Sequence, residues 1–186
     1  MKRIVLYFIV LALLSGCKSN NNDLDRAMEL RTKMNQGQGC VFEADITADY
    51  GDKIYQFTLS CIADQKGNVT FKVLMPKTIE GITGRIDHEG GKLIFDDATL
   101  AFELQADGML SPVSAPWIMV RALTGGYVRS CCKEESMLRL TVDDSYQEDA
   151  LMLDIWLNED NIPIRADLYE VNRRILVLEI KNFKLL

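Results

Sequence analysis

The feature of this chain that most restricts its fold is an alternation of apolar and polar side chains, which begins at Cys40 and recurs to the C-terminal end. Side chains of a strand point alternately to its two faces, so this period predicts strands with one buried face. Turn residues such as Tyr50-Gly51-Asp52 separate neighbouring stretches. We predict an antiparallel sheet with strands at 40–49, 55–63, 69–75, 82–87, 92–96, 98–104, 127–133, 137–142, 151–157, 163–170 and 175–183.

Two stretches have helical spacing instead. Asp23 to Met34 has a capping residue at its start and an apolar stripe, and Gly37 and Gly39 follow it. The second helix is predicted at Trp117–Leu123, with Pro116 in its first turn and glycines after it. Arg121 is its one charge, so this helix is expected to be buried or to cover an apolar hollow.

Four of the five cysteines lie in the predicted strands: Cys40, Cys61, Cys131 and Cys132. A two-residue turn centred on Tyr50-Gly51 places Cys40 opposite Cys61, which predicts a cross-strand disulfide. A turn two residues longer would leave every side chain on the same face of the sheet, but Cys40 and Cys61 would no longer lie opposite each other. Cys131 and Cys132 point to opposite faces, so they stay free, bridge each other, or compete for an early cysteine.

The N-terminus reads as an export signal. Lys2 and Arg3 precede an apolar run from Ile4 to Leu14, which is too short to span a bilayer as a helix. The box Leu14-Ser15-Gly16-Cys17 resembles the lipobox of bacterial lipoproteins. That resemblance implies a signal peptide at 1–16 and acylation of Cys17, and therefore a palmitate-type membrane anchor. We predict a polar tether at 17–23 and a single domain at 24–186.

Lipidation implies an exported protein, held on the outer face of the bacterial cell membrane or on an outer membrane if the envelope has one. The formal charge of −6 makes nucleic acid a poor partner. An ordinary secreted protein with Cys17 merely near the cleavage site is the alternative.

Motifs for catalysis are missing from the sequence. His88 is the single histidine and lies in a glycine-rich turn, and neither a nucleophile elbow nor a phosphate loop occurs. Acidic pairs at 96–97, 143–144 and 159–160 lack calcium-loop spacing. We therefore expect no enzyme activity, no metal and no cofactor.

The order of elements, together with the closing stretches 161–165, 168–172 and 180–183, resembles the superfamily of the lipoprotein carriers LolA and LolB and the LppX-type lipoproteins. The chain also resembles germination lipoproteins of the GerS type, which partner a peptidoglycan amidase. The resemblance implies a mainly β fold with two or so helices: a curved antiparallel incomplete β-barrel with helices in its concave side.

Apolar side chains on the predicted helix and sheet are candidates to line a hydrophobic cavity. Two functions follow from the two ways of filling that space. An open hollow would bind an acyl chain, such as a lipid or lipoprotein chain, whereas a filled core would suit an anchored scaffold for a cell-envelope enzyme. The candidate lining residues are Phe42, Phe57, Leu59, Phe71, Val73, Trp117, Met119, Val120, Leu123, Met152 and Trp156.

Overall fold

The structure is a computed structural model, and it describes residues 21–95, 98–102, 105–106, 109–147 and 150–186. The predicted signal peptide, the lipobox with Cys17, the acidic pair at 96–97 and the end of the predicted strand 98–104 lie outside these residues. Within them, two α-helices accompany thirteen strands. Helix α1 spans Asn21–Gln36 and helix α2 spans Ala115–Gly125.

Eleven of these strands form one antiparallel sheet. Its order is β6-β5-β4-β3-β2-β1-β13-β12-β11-β10-β9, so the first strand pairs with the last in the middle of the sheet. The sheet is an open, curved, incomplete barrel, which confirms the predicted fold class. Its strands are β1 Gly39–Asp49, β2 Ile54–Asp64, β3 Val69–Met75, β4 Thr83–Asp87, β5 Gly90–Phe95, β6 Ala98–Phe102, β9 Tyr127–Glu134, β10 Met137–Asp143, β11 Met152–Leu157, β12 Pro163–Glu170 and β13 Arg173–Leu185, while β7 Gln105–Ala106 and β8 Met109–Leu110 pair separately.

In strands β1–β4 and β9–β13 the apolar phase faces the concave side, where both helices lie. Ala44, Leu59, Ile155 and Leu178 are each 0% exposed and belong to one core cluster with Leu30 of α1. One-sided burial of a sheet requires a cover, and the two helices supply it.

Helix α1 runs along one end of the sheet. Near its start, Arg26 donates to the carbonyls of Asn158 and Glu159 and to Oδ1 of Asn161, in the turn between β11 and β12. Beyond its last turn, Gln38 N–H donates to the carbonyl of Leu186, just after β13. We call the end of the sheet at which these contacts lie the α1 end. The hairpin turns at 50–53 and 171–172 lie at the opposite end.

The β1–β2 register differs from the prediction by two residues. Cys40 lies opposite Ala63, and Cys61 lies opposite Phe42. The turn is longer because Tyr50 N–H donates to the carbonyl of Lys53, while Gly51 adopts a φ of 95°. Cys40 and Cys61 are therefore diagonal neighbours on the same face, and all four cysteines of the described chain are free thiols, so the predicted disulfide is not formed.

Candidate functional site

Most of the predicted cavity residues are brought together under the helices, but they are packed against one another. Eight of them are buried members of the core cluster, and the most exposed of the eight, Trp117, is only 6% exposed. Phe57 is partly buried and packs against the same cluster. The eight are Phe42, Leu59, Phe71, Val73, Trp117, Met119, Val120 and Leu123.

Met152 and Trp156 lie on the other face of the sheet, which corrects their assignment to the cavity. Within β11 the buried residues Leu153, Ile155 and Leu157 form the concave phase. The Trp156 ring instead lies 5.5 Å from the Arg165 guanidinium, and its Nε1 donates to Glu134. Asp154 lies two residues before Trp156 and therefore points to the same face. This polar residue in the sequence indicates that the face is the outer one.

The described residues border a small hollow beside the C-terminal turns of α1 and α2. It has a volume of about 180 Å³ and is lined by Val120, Cys40 and Ala63, with polar residues such as Asn35 and Asp64 around it. Ligand pockets are typically about 300–1,000 Å³. This hollow is therefore too small to hold a long acyl chain.

Helix α2 is held in place at its C-terminal end by α1. Arg31 donates from Nε to the carbonyl of Leu123 (2.8 Å) and from Nη2 to that of Ala122 (3.1 Å), and Asn35 donates to that of Thr124. The carbonyls of Leu123 and Thr124 are helix-terminal and have no partner within the helix, whereas that of Ala122 also accepts from Gly126 N–H. The two helices therefore form one connected cover over the sheet.

On its outer side, α2 is tied to the sheet by a charged contact. Arg121 stacks over the Trp117 ring at 4.8 Å and forms an ion pair with Asp144, whose side chain is 4% exposed. Asp144 also accepts a hydrogen bond from Leu151 N–H. The single charge on this helix is thus used to fix its position.

A larger apolar groove lies beside α1, away from the predicted cavity. Its volume is about 410 Å³, within the usual range for ligand pockets. Leu30 of α1 and Phe183 of β13 are buried in its wall, and Phe183 stacks on Phe42 at 5.9 Å. We call it the α1 groove. Its lining residues are Leu30, Lys33, Asp160, Asn161, Ile162, Phe183, Lys184 and Leu185.

The α1 groove was not predictable from the sequence, because its walls come from three distant segments. Phe183 ends a predicted strand, Ile162 and Leu185 lie outside the predicted strands, and nothing local indicates that α1 crosses beside them. The apolar stripe of α1 was the only available signal, since it showed that this helix packs on something larger.

A third hollow of about 400 Å³ lies where β3 leaves β2. Ile46, Phe57, Met75 and Pro76 line it together with the polar residues Asp45, Thr47, Gln56 and Thr58. Lys181 and Thr58 both hydrogen-bond the Asp45 carboxylate and lower its pKa. Four of its eight lining residues are apolar, as in the α1 groove, so the two hollows differ in their position and not in the share of apolar residues that line them.

The buried thiols of Cys40, Cys61 and Cys131 are unreactive at neutral pH. Burial raises the pKa of Cys40 to about 12 and that of Cys131 to about 11, and it also raises the pKa of Cys61. A thiolate is the nucleophilic and metal-binding form of cysteine, so these thiols are poor nucleophiles at neutral pH. In the described parts of the chain, ligand-type side chains nowhere converge in a group of three or more.

Three solved structures illustrate what this chain is similar to. A LolA superfamily protein from Nitrosomonas europaea is 11% identical, with a TM-score of 0.46 and coverage of 86% of this chain and 93% of that one. A putative outer membrane lipoprotein-sorting protein domain from Vibrio parahaemolyticus is 7% identical, with a TM-score of 0.46 and coverage of 89% and 92%. The lipoprotein LppX of Mycobacterium tuberculosis is 9% identical, with a TM-score of 0.43 and coverage of 89% and 96%.

These neighbours include the LolA and LppX groups that the sequence resemblance named, whereas the resemblance to GerS-type lipoproteins stays a prediction. No protein-family model matches the chain. No curated protein matches it either. Among the described helices, none has the length and apolar character needed to cross a membrane. The function is therefore argued from the chain's own geometry.

Proposed function

We propose that this protein is a membrane-anchored bacterial lipoprotein that binds an acyl chain, or a ligand of similar apolar shape, in the α1 groove. The observation that carries the proposal is the groove itself: about 410 Å³ of space with the apolar side chains Leu30, Ile162, Phe183 and Leu185 in its walls. Its role is binding without catalysis.

The wall residues suit a flexible hydrocarbon. Leu30 and Phe183 are anchored in the core and give a fixed apolar surface, whereas Leu185 is 39% exposed and lies near the solvent. Burial of apolar ligand surface contributes about 25 cal/mol per Å². Lys33 and Lys184 also line the groove, so the polar end of a ligand would find cationic partners there.

The anchor is the second part of the proposal. Export and acylation of Cys17 would hold the domain on the outer face of the cell membrane, or on an outer membrane. Two acyl chains at one residue give stable anchoring, whereas one chain gives only marginal binding. Intact-mass measurement of the mature protein tests this part, and an unmodified Cys17 would contradict it.

Lipid extraction and mass spectrometry of the purified protein test the ligand. We expect an acyl ligand in stoichiometric amount, besides the chains attached to Cys17. Leu185→Glu places a charge in the groove and should lower the affinity for a fatty acid, measured by titration of the delipidated protein, by about tenfold, the factor for about 1.4 kcal/mol. Ile62→Glu is the matched control, because Ile62 is a 52% exposed aliphatic residue on a strand outside the groove. Equal affinity in both variants would contradict the proposal.

A second candidate function is an anchored scaffold that docks a cell-envelope enzyme, in the manner of GerS-type lipoproteins and their amidase. The close packing of the predicted cavity residues favours it, because eight of them are buried in the core cluster of the described residues. A purified protein free of ligand that binds a purified amidase of the same envelope stoichiometrically would support the scaffold and contradict ligand binding.

A further inference from the structure

The α1 end of the sheet carries exposed apolar side chains that contribute little to the core. Leu24 in the first turns of α1 is 39% exposed, and Leu185 and Leu186 at the chain end are 39% and 55% exposed. Leu186 is held in place by two backbone hydrogen bonds, one from Gln38 N–H and one to the carbonyl of Gly39. The exposed leucines are thus presented by ordered backbone. We call Leu24, Leu185 and Leu186 the α1-end leucines.

The chain length before α1 shows which surface these leucines can reach. Helix α1 begins at Asn21, four residues after Cys17. A chain advances at most about 3.5 Å per residue, so Cys17 lies within about 14 Å of the start of α1. An acylated Cys17 therefore brings the bilayer close to the α1 end. The opposite end lies on the order of 40 Å away along β13, beyond the reach of this tether.

We propose that the α1 end is a membrane-contact face, on which the domain rests against the bilayer that holds its anchor. This inference rests on the anchor of the proposed function. It also deepens that function, because the α1 groove lies on the same end and Leu185 belongs to both. The bilayer itself is then the source from which an acyl chain enters the groove.

A weak contact is enough for this arrangement. The anchor makes the contact intramolecular, with an effective concentration in the millimolar range for a short tether. Leucine side chains at an interface gain from partial burial in the acyl boundary, and Lys33 and Lys184 can reach lipid phosphates while their stems stay near the apolar groove. The face thus combines apolar contact with cations beside it, even though the chain as a whole is acidic.

The test is lysine acetylation of the lipidated full-length mature protein in vesicles of phosphatidylcholine and phosphatidylglycerol, read by mass spectrometry. Lys184 at the α1 end is compared with Lys53 in the turn at the opposite end, and both are exposed. If the docked state holds about two-thirds of the molecules, Lys184 should react about threefold more slowly relative to Lys53 than it does in the variant described next.

The variant is the double substitution L24Q/L186Q. Neither residue lines the groove, so this change weakens the face without altering the ligand site, and it should restore rapid acetylation of Lys184. The matched control is I54Q/I62Q, which removes two exposed aliphatic residues elsewhere (65% and 52% exposed) and should leave Lys184 protected.

The outcomes separate this inference from the proposed ligand. A Lys184 rate that L24Q/L186Q does not change, or that I54Q/I62Q changes equally, overturns the membrane-contact face even when extraction finds a bound acyl chain. Protection that only L24Q/L186Q removes supports the face even when extraction finds no ligand. An unmodified Cys17 overturns both the face and the anchor.

Discussion

At the scale of single residues, burial controls the chemistry of the four thiols. Cys40 and Cys61 are each 1% exposed on the concave face, and Cys131 is 3% exposed beside α1. Free thiols in a protein proposed to be exported would be expected to oxidise, and their burial explains how they can persist as thiols.

Burial of Cys40 also predicts how stability depends on pH. Its pKa rises from the ordinary 9.0 to about 12 in the folded state, so the folded protein keeps the proton where the unfolded chain loses it. The stability due to this thiol is complete below pH 9 and is lost as the pH rises towards 12. We expect the free energy of unfolding, measured in urea, to fall between these values.

Cys40→Ala should make the decrease of the free energy of unfolding with pH shallower. Cys132→Ala is the control, because it removes a thiol that lies on the outer face of the sheet and is 8% exposed. Thiol titration with a disulfide reagent at pH 8 gives a second measurement. Cys40 and Cys61 should react only after denaturation, and rapid reaction of either in the native protein would contradict the assigned burial.

At the scale of elements, the turn between β12 and β13 holds a valine in a left-handed backbone conformation. Val171 and Asn172 have φ values of 47° and 63°, and Val171 is 95% exposed. A β-branched residue is unfavourable in this region by about 1–2 kcal/mol, and asparagine or glycine is preferred in such turns. Val171 is destabilising in this conformation, and its exposed side chain does not contribute to the core.

Val171→Asn should therefore stabilise the protein by about 1 kcal/mol, measured as the free energy of unfolding in urea. Ile62→Asn is the control, because this exposed aliphatic residue lies in regular strand and should lose stability instead. A destabilised Val171→Asn variant would show that this valine makes a contact that outweighs its backbone strain.

The contact between α1 and α2 gives a second prediction at this scale. Arg31→Ala removes the donors to the carbonyls of Ala122 and Leu123. It should lower the free energy of unfolding by about 1–3 kcal/mol, because the carbonyl of Leu123 is left without a partner while that of Ala122 keeps its bond from Gly126 N–H. Lys33→Ala removes only an exposed pair with Glu29 and should change the stability by less than about 0.5 kcal/mol. Thermal unfolding of both variants measures the difference.

The bounds of elements were predictable wherever turn chemistry marked them. Strand β3 ends at Met75 before Pro76, and β12 begins at Pro163, as the sequence indicated. The β1–β2 register was not predictable, because the alternation is unchanged by a shift of two residues and only the length of the turn at Tyr50–Lys53 decides it. The predicted disulfide was wrong for that reason.

At the scale of the whole molecule, the packing beneath α2 can be tested by adding volume. Ala122 is 0% exposed on α2, belongs to the core cluster and does not line the small hollow that Val120 borders. Ala122→Phe should destabilise the protein by about 1–3 kcal/mol, because a packed interior cannot accept the larger ring. Leu185→Phe, in the half-open groove, should be tolerated. A neutral Ala122→Phe in thermal unfolding would show an open hollow beneath the helix.

The antiparallel sheet could be predicted from alternation and turn residues, whereas the curved, incomplete barrel followed from the resemblance in the order of elements. The position of the proposed ligand site could not be predicted, because it depends on how closely Trp117 and its neighbours fill the interior. Apolar residues such as Phe42 and Leu59 serve equally well as core or as cavity lining, and only packing distinguishes the two.

The pairing of the first strand with the last has a consequence for biogenesis. Cys40 lies opposite Leu185, so the centre of the sheet closes only when the final thirteen-residue strand has emerged. Contacts so distant along the chain form slowly, and the edge of β1 that pairs with β13 stays unpaired until then. If the chain is exported as proposed, this late closure would keep it unfolded enough to pass a secretion channel until its synthesis is nearly complete.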